Sequence, residues 1–283
     1  MSRSPSLPGY STREVARLLE LPERQIRSFV QAGFLSPRRG RRGEFLFSFQ
    51  DLVVLRAAKG LVAAEIPVER VRRALGRLAR QLPRGRPLNS LRIAAEGSQI
   101  VVRHGSEAWE PESGQRVLDF EVSELAAQAV PLARRTAEEA ESRAAELDAD
   151  DWYALGVELE AAAADGEAAA AYRRALELDG DHPDAHLNLG RLRHEAGDAE
   201  AAEKHYRRAL ARRPGDATAA FNLGVALQDL DRPRQAVEAY RRAVAIDPGY
   251  ADAYFNLAGL YRELGKQAVA IRSLKRYKRL TEE

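Results

Sequence analysis

Two sets of residues in this 283-residue chain have the types and spacing to do chemistry, and in both cases the chemistry is recognition. The first set is cationic. Arg24, Arg27 and Ser28 fall on outward positions of a short helical stretch, and Arg13 lies on the stretch before it. Arg38, Arg39, Arg41 and Arg42 follow in a loop spaced by Gly40 and Gly43. A guanidinium carries a permanent charge and a planar fork of donors, which suits phosphate oxygens. The second set is neutral. Asn188, Asn222 and Asn256 recur every 34 residues, with Leu187, Phe221 and Phe255 one position earlier and Arg191 close by. A primary amide donates to a carbonyl and accepts from an N–H, which is what an extended peptide offers.

Catalytic and metal chemistry find little support. Cysteine is absent, so disulfides, thiolate metal sites and cysteine nucleophiles are excluded together. No phosphate-cradling glycine loop, Gly-x-Ser-x-Gly or His-Glu-x-x-His motif occurs. His182 and His186 have helix-face spacing, but Pro183 puts His182 ahead of the helix and no third ligand is evident. His104, His194 and His205 are scattered. The expectation is a protein without enzymatic activity, cofactor or metal.

The arginines need two short helices to position them. Ser11 and Glu14 form a capping box, and Val15, Leu18 and Leu19 give an apolar stripe. Leu21-Pro22 breaks the pattern. In the second helix Ile26 and Phe29-Val30 face inward while Arg24, Arg27 and Ser28 face out, and Gly33 ends it. Two short helices across a tight turn make a helix-turn-helix, whose second helix can enter a major groove. A solvated helical hairpin fits the pair equally well; the arginine loop, of a length to lie on phosphates as a wing, favours nucleic acid.

These residues also carry a resemblance. Tyr10-Ser11-Thr12, Glu14-Val15-Ala16, Ile26-Arg27 with Phe29, Gly33-Phe34-Leu35, Pro37, Gly43, Phe47 and Asp51-Leu52 resemble the MerR family of transcription regulators. The resemblance covers roughly residues 9–82. It implies a winged helix-turn-helix that binds double-stranded DNA as a homodimer on a palindromic promoter site. Two positions depart from the family pattern: Ser28-Phe29-Val30 after the recognition-helix arginine, and Glu44-Phe45 in the wing.

Charge segregation agrees with a nucleic-acid partner. Residues 1–86 hold 18 Lys+Arg against 7 Asp+Glu, a net of +11; the remainder holds 26 against 35, a net of −9. A basic head on an acidic body is what binding to a polyanion asks for. No apolar run is long enough to span a membrane, and MSRSPSLPGY has no apolar core of a signal peptide, so a cytoplasmic protein is expected.

Along the chain, residues 1–9 are Ser/Pro-rich and expected to be disordered, and residues 10–82 form the winged helix-turn-helix. Within it Phe45-Leu46-Phe47 alternates as a strand, Ser48 and Asp51 cap a helix that Gly60 ends, and Val68, Val71, Leu75, Leu78 and Leu82 form the stripe of another. A Pro/Gly/Arg linker follows at 82–87. Residues 88–122 alternate at strand length and predict a small antiparallel β element, suited to a dimer patch, a ligand pocket or a spacer. Residues 123–148 form a helical connector, one helix or two, interrupted by Pro131.

From residue 149 the chain repeats every 34 residues, giving units 149–182, 183–216, 217–250 and 251–283. Leu155, Leu189, Leu223 and Leu257 align; so do Gly156, Gly190 and Gly224 with Ala258, and Tyr172, Tyr206 and Tyr240 with Leu274. This pattern resembles the tetratricopeptide repeat (TPR). It implies helical hairpins that stack into a solenoid with a concave groove, where the asparagine row holds the backbone of a bound peptide. The same row is also what repeat packing or solubility would retain, and Ala154 interrupts it in the first unit. The last helix, with Lys275, Arg276, Lys278 and Arg279, is expected to be a polar cap.

The whole reads as a mainly α protein: a winged helix-turn-helix head, a small antiparallel β element and an α-solenoid of about four TPR hairpins. The function expected is a DNA-binding regulator whose array recruits or senses a protein or peptide partner, with no membrane role. The alternative is a TPR scaffold whose degenerate head binds protein instead of DNA.

Overall fold

The computed structural model describes residues 9–40, 42–66, 69–71, 73–75, 91–96, 99–104 and 116–281. It divides the chain into two compact units, 1–171 and 172–283. The expectations for Arg41, Val68, Leu78, Leu82, the linker and nearly all of the first nine residues lie outside the described residues.

In the first unit, three short strands and three helices whose bounds are described belong to the head, and residues 69–71 and 73–75 are also helical, with Val71 and Leu75 buried. β1 (Tyr10–Ser11), β2 (Arg38–Arg39) and β3 (Phe45–Phe47) form an antiparallel sheet with β3 in the centre, pairing Tyr10 with Phe47 and Arg38 with Leu46. α1 (Thr12–Leu18) starts at the expected capping box, with Ser11 and Glu14 bonded reciprocally. Its last turn is closed by Lys59, whose Nζ donates to the Leu19 carbonyl at 2.8 Å. α2 (Glu23–Gln31) follows Pro22 and buries Ile26 and Phe29, with Phe29 stacked on Phe34 at 5.4 Å. α3 (Phe49–Ala63) opens on the Ser48–Asp51 capping box and is the hydrophobic spine of the head, burying eight of its residues. Gly60 does not end it. Leu61 is fully buried one residue later, and that burial carries the helix on to Ala63; Glu65, in the turn beyond, has a φ of +57°.

The β element is a three-stranded antiparallel sheet: β4 (Leu91–Glu96) lies between β5 (Gln99–His104) and β6 (Arg116–Glu121). Ile93 opposes Phe120 across β4 and β6, and both are buried. The sheet packs on α3 through β6 and on the next helix through β4. That helix, α4 (Val122–Glu141), runs unbroken through Pro131. Its buried stripe of Leu125, Ala126, Ala129, Ala133 and Ala140 outweighs the one hydrogen bond that proline removes.

The repeat hairpins are α5 (Ala149–Ala161) with α6 (Asp165–Leu178), α7 (Pro183–Glu195) with α8 (Ala199–Arg212), α9 (Ala217–Asp229) with α10 (Pro233–Ile246), and α11 (Ala251–Glu263) with α12 (Gln267–Thr281). Their first helices keep the 34-residue period to the residue. In the second unit α7 to α12 pack in sequence order. The close contact is a glycine facing a tyrosine. A Cβ built at Gly190 would lie 2.8 Å from the Tyr206 ring, and one at Gly224 would lie 2.6 Å from the Tyr240 ring. Tyr206 and Tyr240 are buried within 1% of completely. The turn inside each hairpin has a residue of positive φ at Ala163, Gly197, Asp231 and Gly265, again 34 apart. Arginines tie neighbouring repeats at equivalent places: Arg242 donates to the Pro214 carbonyl and Arg276 to that of Pro248.

The last helix corrects an expectation. α12 is basic, but it is not a polar cap: Ile271 is 53% exposed and Leu274 40%. The periodic apolar positions continue to the last repeat because each repeat is built to be covered by the next.

Two stability changes test this packing. Gly224→Ala should cost about 1–3 kcal/mol, because its methyl overlaps the buried Tyr240 ring. Ala163→Gly should add roughly 1 kcal/mol, because glycine adopts the left-handed turn without the Cβ penalty. Denaturant titration of the full chain checks both signs.

Candidate functional site

The candidate nucleic-acid face is built from α1, α2 and the β2–β3 wing. Burial of Ile26 and Phe29 turns the opposite side of α2 outward, so Arg24, Arg27 and Ser28 are exposed, as is Arg13 on α1. Arg27 is not free: its Nη2 donates to Glu23 at 3.1 Å, an exposed pair one helical turn apart. In the wing Arg38, Arg39 and Arg42 are exposed, but they differ in what holds them. Arg39 lies over the Phe45 ring, 3.9 Å from its centroid, and donates to the Gly43 carbonyl at 2.7 Å. Glu44 accepts from the Arg42 backbone N–H at 2.9 Å and fills the space beside Gly40, where a Cβ would meet its carboxylate. Among the described residues, the guanidinium groups of Arg13, Arg24 and Arg42 have no hydrogen-bonding partner.

Sequence reasoning missed a residue at the back of this face. Glu158, on α5, accepts from the Phe49 backbone N–H at 2.7 Å, at the N-terminus of α3. Burial raises its pKa and the Asp51 charge adds to this, while the Phe49 bond and the Arg38 charge oppose it. Asp51 is likewise held above the usual carboxylate range by burial, against its bonds to Ser48 and the Arg38 charge. Arg38 thus serves two inward carboxylates as well as facing solvent. A signal was present in the repeats: positions 192, 226 and 260, equivalent to 158, are Leu, Ala and Leu.

The asparagine row is not uniform. Asn188 is buried, and its Nδ2 donates to the Tyr172 hydroxyl at 3.0 Å; this corrects the expectation that it lies open on the groove. The buried tyrosine needs a partner for its hydroxyl, and the asparagine one repeat on supplies it. Asn256 makes the same bond to Tyr240 at 3.1 Å, and that hydroxyl donates on to Gln228 at 3.2 Å. Asn222 is half-buried and, among the described residues, has no side-chain hydrogen bond. Leu187 and Phe221 are half-buried, with Phe221 stacked on Tyr250 at 4.9 Å. Phe255 is 55% exposed. Arg191 donates to Glu195 at 2.6 Å.

His182, His186 and His205 are held by hydrogen bonds within the repeats. His182 is the N-cap of α7, its Nδ1 accepting from the Ala185 N–H at 3.1 Å. The Gly180 carbonyl lies 3.0 Å from His186 Nε2, which must therefore carry a proton in the neutral ring. His186 Nδ1 then accepts, and His205 Nδ1, at 2.9 Å, donates to it. No group of three residues able to hold a metal occurs among the described residues. In the first unit a cavity of about 500 Å³ lies among α4, α5 and α6, with Trp152 and Leu155 on its wall and Glu138 and Glu141 at its edge. No helix among the described residues is long and apolar enough to cross a membrane.

Comparison with known families agrees with this geometry. Residues 10–78 match the model of the MerR HTH family regulatory protein. Residues 181–249 and 251–283 match tetratricopeptide repeat models, and 234–265 a TPR repeat model. The chain joins a MerR-type head to a TPR array. Among solved structures, a crystal structure of MamA is 20% identical, with 56% of this chain and 90% of that chain covered and a TM-score of 0.49. MamA 41-end from Desulfovibrio magneticus RS-1 is 18% identical, with 57% and 93% covered and a TM-score of 0.48. No curated protein sequence matches the chain.

Two measurements on the array follow. Asn188→Ala should lower stability by about 1–3 kcal/mol, because it removes a buried hydrogen bond to the Tyr172 hydroxyl, whereas Asn222→Ala should leave the melting temperature nearly unchanged. The histidine pair sets a pH dependence. Burial and, second, the neighbouring His186 push His205 down from 6.5 to about 4, and burial also lowers His186. A depressed histidine pKa means that the fold prefers the neutral ring, so its stability is full above 6.5 and is lost as pH falls toward about 4. Urea titrations across that window should show a smaller loss in His205→Gln, which keeps an N–H donor without a titrating ring.

Proposed function

We propose that the protein is a DNA-binding transcriptional regulator, with a MerR-type head that engages double-stranded DNA and a TPR array that recruits or senses a partner protein. The carrying observation is the outward face of α2 beside the wing, where Arg24 and Arg42 present unengaged guanidinium groups on a segment of net charge +11. α2 is the recognition helix in this reading, and Arg13, Arg38, Arg39, Arg41 and Arg42 hold phosphates while Arg24, Arg27 and Ser28 face base edges. A homodimer, cytoplasmic residence and the peptide-holding role of Asn222, flanked by Phe221 and Phe255, belong to the same proposal, as do the domain limits 10–82, 88–122, 123–148 and 149–283.

A second reading is favoured by specific contacts. Glu23 on Arg27, Glu44 inside the wing and Phe45 beneath Arg39 each occupy a group that DNA would otherwise use. They suit a scaffold whose head binds protein.

Binding of the full chain to duplex DNA distinguishes the two. The regulator reading expects log K to fall linearly with log salt, with a slope of about −0.9 per phosphate neutralised. Arg42→Ala should weaken all sequences alike and flatten that slope. Arg24→Ala should cost roughly 1–3 kcal/mol more at a preferred site than elsewhere. Absence of DNA binding at low salt would leave the scaffold reading.

A further inference from the structure

The outward face of α12 is a docking face without a neighbour among the described residues. Ile271 and Leu274 stand at the positions that Val237 and Tyr240 hold one repeat earlier. Val237 is 6% exposed and Tyr240 0%, because α11 covers them with Ala253, Leu257 and Leu260. Ile271 and Leu274 are 53% and 40% exposed, and Phe255 beside them 55%. Together these three residues border a cavity of about 310 Å³ that also includes Arg262. The periodic packing of the array therefore defines the shape of what fits: another helix with a narrow apolar stripe, lying where the first helix of a following repeat would lie.

Charge selects among the occupants. α12 carries five basic residues and no acidic one. Lys275 and Lys278 follow Ile271 and Leu274 by one helical turn and are exposed, so they rim the apolar strip. A second copy of this face would bring like charges together. A nucleic-acid backbone would satisfy the lysines but leave Ile271, Leu274 and Phe255 in water. We propose that this face docks an acidic amphipathic helix of a partner protein. The face shares Phe255 with the groove proposed around Asn222 but is centred on Ile271 and Leu274, and it holds whether or not the head binds DNA.

The test uses the full chain and two labelled synthetic amphipathic helices of the same apolar stripe, one rimmed by glutamate and the other by lysine. Fluorescence anisotropy should show saturable binding of the glutamate helix, weakened by salt, and little binding of the lysine helix. The double variant Ile271→Asp with Leu274→Asp should lose at least about tenfold in affinity. Because both residues are exposed, its melting curve should match the parent. Lys275→Glu with Lys278→Glu, which touches no apolar contact, should weaken the glutamate helix and favour the lysine helix. The proposal is overturned if the glutamate helix does not bind, if the two helices bind alike, or if affinity survives both double variants. It is also overturned if Ile271→Asp with Leu274→Asp instead abolishes a concentration-dependent dimer of the chain, or if the lysine variant loses DNA binding while peptide binding is unchanged.

Discussion

The Glu158 carboxylate on the Phe49 N–H joins the first repeat helix to the spine of the head. A helix N-terminus leaves backbone N–H groups unpaired and carries a partial positive charge. Ser48 and Asp51 serve α3 locally, and Glu158 arrives from a segment 109 residues away. The arrangement concentrates acid: burial raises the pKa of both Glu158 and Asp51, the Asp51 charge raises that of Glu158 further, and the Arg38 cation offsets both. A second tie, from Arg135 on α4 to Glu14 in the α1 capping box, grips the other helix of the head. Both ties lie inside the first unit. The helix-turn-helix, the connector and the opening repeat helix therefore form one packed body rather than beads on a string.

Glu158 also shows why one repeat departs from its siblings. Its equivalents at 192, 226 and 260 are apolar, because they face repeat neighbours. Position 158 faces a helix terminus, where an acceptor is worth more than a methyl group. The asparagines obey the same logic in reverse. At Asn188 and Asn256 the amide satisfies a tyrosine hydroxyl of the preceding repeat, so the residue that a peptide would use is occupied by packing. Among the described residues Asn222 keeps its amide unbonded.

What the sequence made legible is what repeats or caps locally. The 34-residue period and the two capping boxes follow from spacing and residue type, and the structure has them. The inward turn of Ile26 and Phe29 was equally readable from helical periodicity. What was not legible depends on partners distant in sequence or on competition among contacts. Asn188 looks like a groove residue until Tyr172 takes its amide. Arg39 looks like a free phosphate clamp until Phe45 and the Gly43 carbonyl hold it. Pro131 looks like a break until the buried alanine stripe carries the helix through it. The exposed Ile271 and Leu274 were hidden by the lysines and arginines that share their helix, since composition averages over faces that the fold separates.

The central claim is that the head reads DNA sequence. Selection from a pool of random duplexes by the purified full chain tests it most directly, because it asks for discrimination as well as charge attraction. The account predicts enrichment of one motif arranged as an inverted repeat, lost when Arg24 and Arg27 are replaced by alanine. A pool that stays random after repeated rounds, or the same enrichment without those arginines, would contradict it.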